Sequence, residues 1–294
     1  MHTLRRTVRF IINPASAGTS QSITPQKPRN TYAGAPGMQG LGRYYEMILA
    51  CEGAPDPITA YLIDIKDCDK AVREAFVPLV NHACQHDPTI DPSLLLAQGF
   101  SALQRAVESR APGLLPVRLA SVCWFLTPTY SVEIQPAKNA ITTLASGETP
   151  LATSAILRQR FDLAAAHRLH VPGFTPEHNR ALFGKCNNPN GHGHNYQFEP
   201  AVVIPIGVPN TPAFSLADLE AAADTAIVSR FDHTHLNLDT TEFAEDAGLN
   251  PSVENIAMVF YRRLEAELKA SHPAVHLQSL TVWETDRTSA TFAP

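Results

Sequence analysis

The sequence predicts an α+β protein, with an antiparallel sheet carrying two helices on one side, in an arrangement that occurs twice along the chain. Three observations carry this. Apolar residues alternate with period 2 over Phe161–Leu169, from Tyr196 onward and over Leu277–Thr285, which is the spacing of half-buried strands. Apolar residues at helical spacing follow start signals at Ser215 and Asn250. The order strand pair, helix, helix, strand pair also recurs, more faintly, in the first half, and a repeat of this size indicates a duplicated domain.

Phe161, Leu163, Ala165 and His167 share one face of the first of these strands. His167 sits where that strand meets a loop. The next strand is preceded by Gly191-His192-Gly193-His194, so its two histidines point the same way if the strand extends back to them. Ser215, with Asp218 three residues later, reads as a capping box ahead of Leu216, Leu219, Ala223 and Ile227. Asn250 and Pro251 read as N-cap and first helical position. Val253, Ile256, Ala257, Phe260, Leu264 and Leu268 then follow helical spacing until Pro273 closes the segment. Leu280, Val282 and Glu284 share a face of the final strand.

Bulk properties narrow the function. A chain of 294 residues suggests two ordinary domains. With 44% hydrophobic and 17% charged residues, the composition is that of a globular protein. A net charge of -5 gives no nucleic-acid footprint. No apolar run reaches the length of a membrane span, and Phe10-Ile11-Ile12 is too short for a signal-peptide core. The five cysteines, Cys51, Cys68, Cys84, Cys123 and Cys186, contain no C-x-x-C pair, which argues against a disulfide framework and for a cytoplasmic location. The first four read as small buried hydrophobes. The 24 prolines cluster in segments such as 24–36 and 205–212 and read as loop punctuation. Nine of the twelve histidines follow residue 150, placing the chemistry in the second half.

The run Phe183-Gly184-Lys185-Cys186-Asn187-Asn188-Pro189-Asn190-Gly191-His192-Gly193-His194-Asn195-Tyr196 is the most informative stretch. Two histidines on a strand are more often a solvated face than a metal site. If the strand ending at His167 pairs with the one starting at His192, three imidazoles meet. Three neutral nitrogens with an open fourth position describe a catalytic zinc site rather than a structural one.

Those words, with Ala165-Ala166-His167-Arg168-Leu169, Asp232-His233-Thr234-His235-Leu236-Asn237, Pro251-Ser252-Val253-Glu254-Asn255-Ile256-Ala257 and Val282-Trp283-Glu284-Thr285, resemble the 6-pyruvoyl-tetrahydropterin synthase family. That family includes the 6-carboxy-tetrahydropterin synthases of queuosine biosynthesis. The resemblance covers roughly residues 155 to 294, and the long cysteine loop looks like the pyruvoyl branch. It implies a fold of four antiparallel strands and two helices whose copies close edge to edge into barrels. It further implies a carbon–oxygen lyase that acts on 7,8-dihydroneopterin triphosphate, releasing triphosphate and giving a pyruvoyl or carboxy product.

On this resemblance His167, His192 and His194 bind Zn2+, Cys186 is the base, and Asp232 and His233 tune its thiol. Glu284 grips the amino-pyrimidine edge of the pterin and Glu254 lies near that pocket. Alternatives stand beside several of these. Cys186 could be a fourth zinc ligand, and Glu254 could simply favour a helix dipole. Lys185, Arg168 and Arg287 are candidates for the triphosphate, though surface charge is the commoner role. Val253 departs from the family, where the pyruvoyl branch usually has threonine. The resemblance also implies a homo-oligomer with sites between subunits, Cys186 coming from one chain and Asp232 and His233 from another.

The first half answers the second word by word. Gly42-Arg43-Tyr44-Tyr45 answers Gly193-His194-Asn195-Tyr196, and Val80-Asn81-His82 answers Phe231-Asp232-His233. Asp91-Pro92-Ser93 answers Asn250-Pro251-Ser252, and Phe125-Leu126-Thr127 answers Trp283-Glu284-Thr285. The chemistry does not repeat: Leu41 and Arg43 stand for the paired histidines, Asn81 for Asp232, Leu126 for Glu284, and nothing near Pro14-Ala15 supplies a third imidazole. The expectation is therefore two tandem tetrahydrobiopterin-synthesis-type domains, with an unrelated N-terminal domain as the alternative. Residues 1–150 form a degenerate, non-catalytic copy that serves assembly, and residues 151–294 form the zinc-dependent catalytic domain, with one tightly held metal per chain. The competing reading is a pterin-binding or regulatory protein without turnover, against which the retained Cys186, Asp232 and His233 argue.

Overall fold

The computed structural model describes residues 1–14, 37–110, 116–136, 154–208, 213–246 and 248–294. The proline cluster at 24–36, residues 209–212 of the second cluster, Ala15 and the expected boundary at 150 lie outside these. Two compact units form, the first from Met1–Ile156 with Ile206–Pro209, the second from Leu157–Pro205 with Asn210–Pro294.

The first unit is an antiparallel meander with helices between its second and third strands. Its elements are β1 (His2–Ile12), β2 (Arg43–Gly53), α1 (Ile65–Ala75), α2 (Val77–His86), α3 (Pro92–Glu108), β3 (Arg118–Phe125) and β4 (Tyr130–Ile134). Strand order is β1-β2-β3-β4. Asp64 and Asp91 cap α1 and α3 by accepting hydrogen bonds from the first-turn amides of Lys66, and of Ser93 and Leu94, as N-cap carboxylates do. The buried face carries Phe10, Met47, Leu49, Phe76, Leu96, Leu103 and Trp124. Phe76 meets Trp124 edge-on at 5.2 Å.

A strand, β5 (Ser154–Gln159), carries the chain onward. The second unit continues with β6 (Phe161–His167), α4 (Pro176–Phe183), β7 (His192–Pro205), α5 (Leu216–Ala223), the single turn α6 (Ser229–Phe231), β8 (Thr234–His235), the turn α7 (Leu236–Asp239), α8 (Val253–Ser271), β9 (His276–Thr285) and β10 (Thr288–Phe292). β7 pairs antiparallel with β6 on one side and β9 on the other, and β10 extends β9. β8 adds two residues parallel to β6. The sheets are open, so the closed barrel is not a property of this single chain.

Along α8, Val253, Ile256, Ala257, Phe260, Leu264 and Leu268 are all buried, and Phe260 packs edge-on against Phe198 of β7 at 5.7 Å. The Ser215–Asp218 capping box forms in both directions. One boundary differs from expectation. The N-cap of α8 is Ser252, whose hydroxyl accepts from Asn255 N, and Pro251 lies outside the helix. Asn250 is engaged elsewhere: its side chain accepts from His170 N and its carbonyl accepts from the Asn255 side chain. In β9 a register shift opposite Ala201 and Val202 lets both Leu277 and Leu280 face inward despite their odd spacing.

The first unit departs from expectation in two places. Asn81 and His82 lie inside α2, whereas Asp232 and His233 follow a helix end. Cys84 and Cys123 are half-buried, while Cys51 and Cys68 are sealed. Cys84 is no inert core thiol, since Arg43 Nη1 approaches its Sγ at 3.4 Å.

Candidate metal centre and surrounding site

The register of β6 against β7 sets His167 directly opposite His192. His194, two residues on, shares the face, and Gly193 between them points away. The ligand-capable atoms of His167, His192 and His194 all lie within 4.8 Å of one another. His167 is fully buried. Its Nδ1 is 2.7 Å from the Pro251 carbonyl and 3.3 Å from the Tyr196 hydroxyl, so Nε2 is left facing the cluster, 3.3 Å from His192 Nε2. An imidazole anchored through one nitrogen to a carbonyl is the usual orientation of a metal ligand.

Burial pushes the His167 pKa down to about 4, with the neighbouring imidazoles adding to the effect. His192 is also lowered, mainly by burial and then by His194. Both are thus neutral at physiological pH, the state a metal requires. His192 Nδ1 and His194 Nε2 are buried without a hydrogen-bond partner among the described residues. A cluster of imidazole nitrogens, some with no protein partner among the described residues, fits a divalent cation.

The loop before β7 is shaped by Gly191, which has φ +69°. A Cβ there would collide with His235 Nε2 and lie 2.9 Å from the His167 carbonyl. Glycine is therefore needed both for the left-handed turn and for the close approach. Asn179, fully buried, ties the neighbouring loop by accepting from Val171 N and donating to the carbonyls of Val171, Phe174 and Thr175.

Glu284 Oε1 stands 3.5 Å from Nε2 of both His167 and His194. Cys186 lies half-buried in the 3-10 turn Gly184–Asn187, its carbonyl accepting from Leu169 N at 2.8 Å. Its thiol is pushed up by burial and, after that, by the charge of Glu284. Glu284 thus stands beside the imidazoles, and its charge reaches the Cys186 thiol.

Asp232 and His233 do not join them within the chain. Asp232 Oδ1 accepts from Ala164 N, and its Oδ2 is 2.8 Å from His233 Nδ1. This anchors the pair at mid-β6, on the β8 side, while Cys186 is tied beyond the strand's end at Leu169. The His233 side chain is 82% exposed and its backbone adopts φ +56°, uncommon for a non-glycine residue. A π turn, Asp224–Val228, precedes α6, after which Asp232 leaves the helix in an extended conformation. Glu254 is exposed in the first turn of α8. It is three residues from Pro251, which holds His167.

A cavity of about 610 Å³ adjoins His192 and is lined by Arg168, His170, Arg180 and Lys185 among others. Arg168 is paired with Glu245 at 2.9 Å, and the exposed Arg180 and Lys185 add two further cations. Arg287 is placed apart, in the turn between β9 and β10. Arg180 was invisible to motif reasoning, and so was the Tyr196 hydroxyl behind His167. Arg180 reaches the cavity from within α4, and Tyr196 shares the face of His192 and His194 on β7, a signal that strand alternation carries.

A family model described as 6-pyruvoyl tetrahydropterin synthase matches residues 156–294. The human 6-pyruvoyl tetrahydrobiopterin synthase is 37% identical over 128 residues, which span 44% of this chain and 83% of the human protein. The chain belongs to the 6-pyruvoyl tetrahydropterin synthase family. The Drosophila melanogaster 6-pyruvoyl tetrahydrobiopterin synthase is 36% identical over 115 residues, 39% of this chain and 67% of that protein. The solved structure of the Caenorhabditis elegans 6-pyruvoyl tetrahydropterin synthase aligns over 48% of this chain and 96% of its own, with 28% identity and a TM-score of 0.43. The family match begins at residue 156, so it falls on the part of the chain that carries the three imidazoles, Cys186 and Glu284. No helix among the described residues is long and apolar enough to cross a membrane.

Proposed function

We propose that this member of the 6-pyruvoyl tetrahydropterin synthase family converts 7,8-dihydroneopterin triphosphate to 6-pyruvoyl-tetrahydropterin with release of triphosphate, using Zn2+ held by His167, His192 and His194. The three clustered imidazoles, with Glu284 beside them and Cys186 within reach of its charge, carry this reading. When bound, the ion would polarise side-chain oxygens of the substrate and so acidify the adjacent C–H. Glu284 accepts N–H bonds from the flat amino-pyrimidine edge and orients the ring. Cys186 takes the proton. Arg168, Arg180 and Lys185, at the cavity beside His192, receive the triphosphate, with Glu254 at the margin. Residues 1–150 serve as a non-catalytic sister domain. Mass spectrometry of the product tests the assignment directly: a 6-carboxy product or unconverted substrate would overturn it.

Glu284→Gln replaces an acceptor-only carboxylate with a group that brings donors to a donor edge. A lost charge-assisted hydrogen bond costs about 1.5–3 kcal/mol, so a rise in KM of roughly one to two orders of magnitude is expected, with metal content unchanged. Steady-state kinetics together with metal analysis check this.

The raised thiol of Cys186 needs a cation to ionise, and within one chain His233 is anchored elsewhere. We therefore propose a homo-oligomer in which His233 and Asp232 of one chain complete the site holding Cys186 of another. Mixing inactive Cys186→Ala chains with inactive His233→Ala chains should restore part of the activity once subunits exchange. No recovery in demonstrated mixed oligomers would place all three residues in one chain.

A further inference from the structure

A second pair of imidazoles stands in the first unit, on α2. His82 and His86 are four residues apart, hence stacked on one helix face. Their ring centroids are 4.3 Å apart and their planes within 13°. Both side chains are exposed. Among the described residues, neither ring forms an ion pair or a hydrogen bond to another side chain. His86 Nδ1 lies 3.1 Å from the His82 carbonyl. Donating Nδ1–H to that carbonyl would leave Nε2 with a free lone pair pointing outward, the tautomer a metal ligand needs.

We infer that His82 and His86 form a second metal site, a bidentate chelate for a divalent transition ion of the nickel or copper type. Histidines at i and i+4 are the pair that helical zinc motifs use to put two nitrogens on one ion. Among the described residues, no third protein ligand of such motifs joins the pair. Cys84, two residues beyond His82, is turned about 200° around the helix, and its thiol faces Arg43 instead. Water must fill the remaining positions, which suits tetragonal nickel or copper better than tetrahedral zinc. The site is therefore weak and exchangeable, distinct from the three-histidine cluster of the second unit. Binding requires only that two exposed rings rotate out of their stack.

Isothermal titration of tag-free protein with Ni2+ tests the inference. Wild type should take up one more equivalent than His86→Ala or His82→Ala, because a lone imidazole forfeits the effective-concentration advantage of two tethered ligands, on the order of 10² in affinity. His178→Ala, which removes an exposed histidine of α4, should titrate like wild type. Copper-loaded protein should show nitrogen hyperfine structure from two imidazoles, falling to one in His82→Ala. Both variants face solvent, and circular dichroism verifies their fold. Equal nickel uptake by wild type and His86→Ala, or an unchanged copper spectrum in His82→Ala, overturns the site. Neither result bears on the pterin reaction.

Discussion

Cys186→Ala should bind pterin and retain its metal while turnover falls by roughly 10²–10⁴, the usual contribution of a positioned general base. The substitution is structurally mild. The side chain is half-buried in a 3-10 turn, and the bond that fixes this turn to Leu169 uses the backbone carbonyl, which alanine keeps. The thiol is not needed to complete the three-imidazole cluster, so metal content should not change. A variant that loses its metal would make Cys186 a ligand and move the base elsewhere. The pH profile adds an independent reading. Burial and Glu284 hold the thiol above its ordinary value, and only the thiolate can act as base. The rate should therefore rise with pH through that ionisation. If His233 of a partner supplies the missing cation, it lowers the thiol pKa, and the weak residual activity of His233→Ala should show its rising limb at higher pH. A limb that stays in place would remove His233 from that role.

What could be read from the sequence, and what could not, follows from the range of the interactions involved. Strand β6 and the helical stripe of α8 were legible because each is set by local periodicity against a single buried face. The three clustered imidazoles were legible for the same reason: alternation places His192 and His194 on one side, and the antiparallel pairing of β6 with β7 sets His167 opposite. The start of α8 was misread because Asn250 and Ser252 are both good caps, and the decision belongs to His170, 80 residues upstream in the chain, whose amide claims Asn250. Asn81 and His82 were misplaced for a related reason. Their word resembles Phe231-Asp232-His233, but α2 runs on through Ala83 and Gln85 to His86 and does not end there. The Tyr196 hydroxyl, the Pro251 carbonyl and Arg180 escaped notice because what they touch is fixed by tertiary packing. That Asp232 and His233 act with Cys186 of another chain was an expectation from family resemblance alone; within this chain the pair is tied to mid-β6 and Cys186 beyond its end.

His167→Ala should abolish tight metal binding and lower stability even without metal, whereas His192→Ala should abolish metal binding at little further cost. The difference arises from burial. His167 is fully buried and its Nδ1 answers the Pro251 carbonyl at 2.7 Å. Alanine would leave a cavity and an unsatisfied buried carbonyl, together worth about 2–4 kcal/mol. His192 is only half-buried and its Nδ1 has no partner to lose. Compared with chelator-treated wild type, His167→Ala should thus melt at a lower temperature and His192→Ala at about the same one. Acid provides the sign test. The folded His167 pKa lies near 4, below its unfolded value of 6.5, so between these values the unfolded chain binds the extra proton. Stability of the metal-free protein is then fully present above pH 6.5 and is lost as pH falls toward 4, by up to roughly 3 kcal/mol from this group. His167→Ala cannot show that loss. Denaturant midpoints at pH 7 and pH 4.5 for metal-free wild type and variant decide the matter. If both proteins weaken equally on acidification, the buried neutral imidazole is not what makes the metal-free fold acid-sensitive.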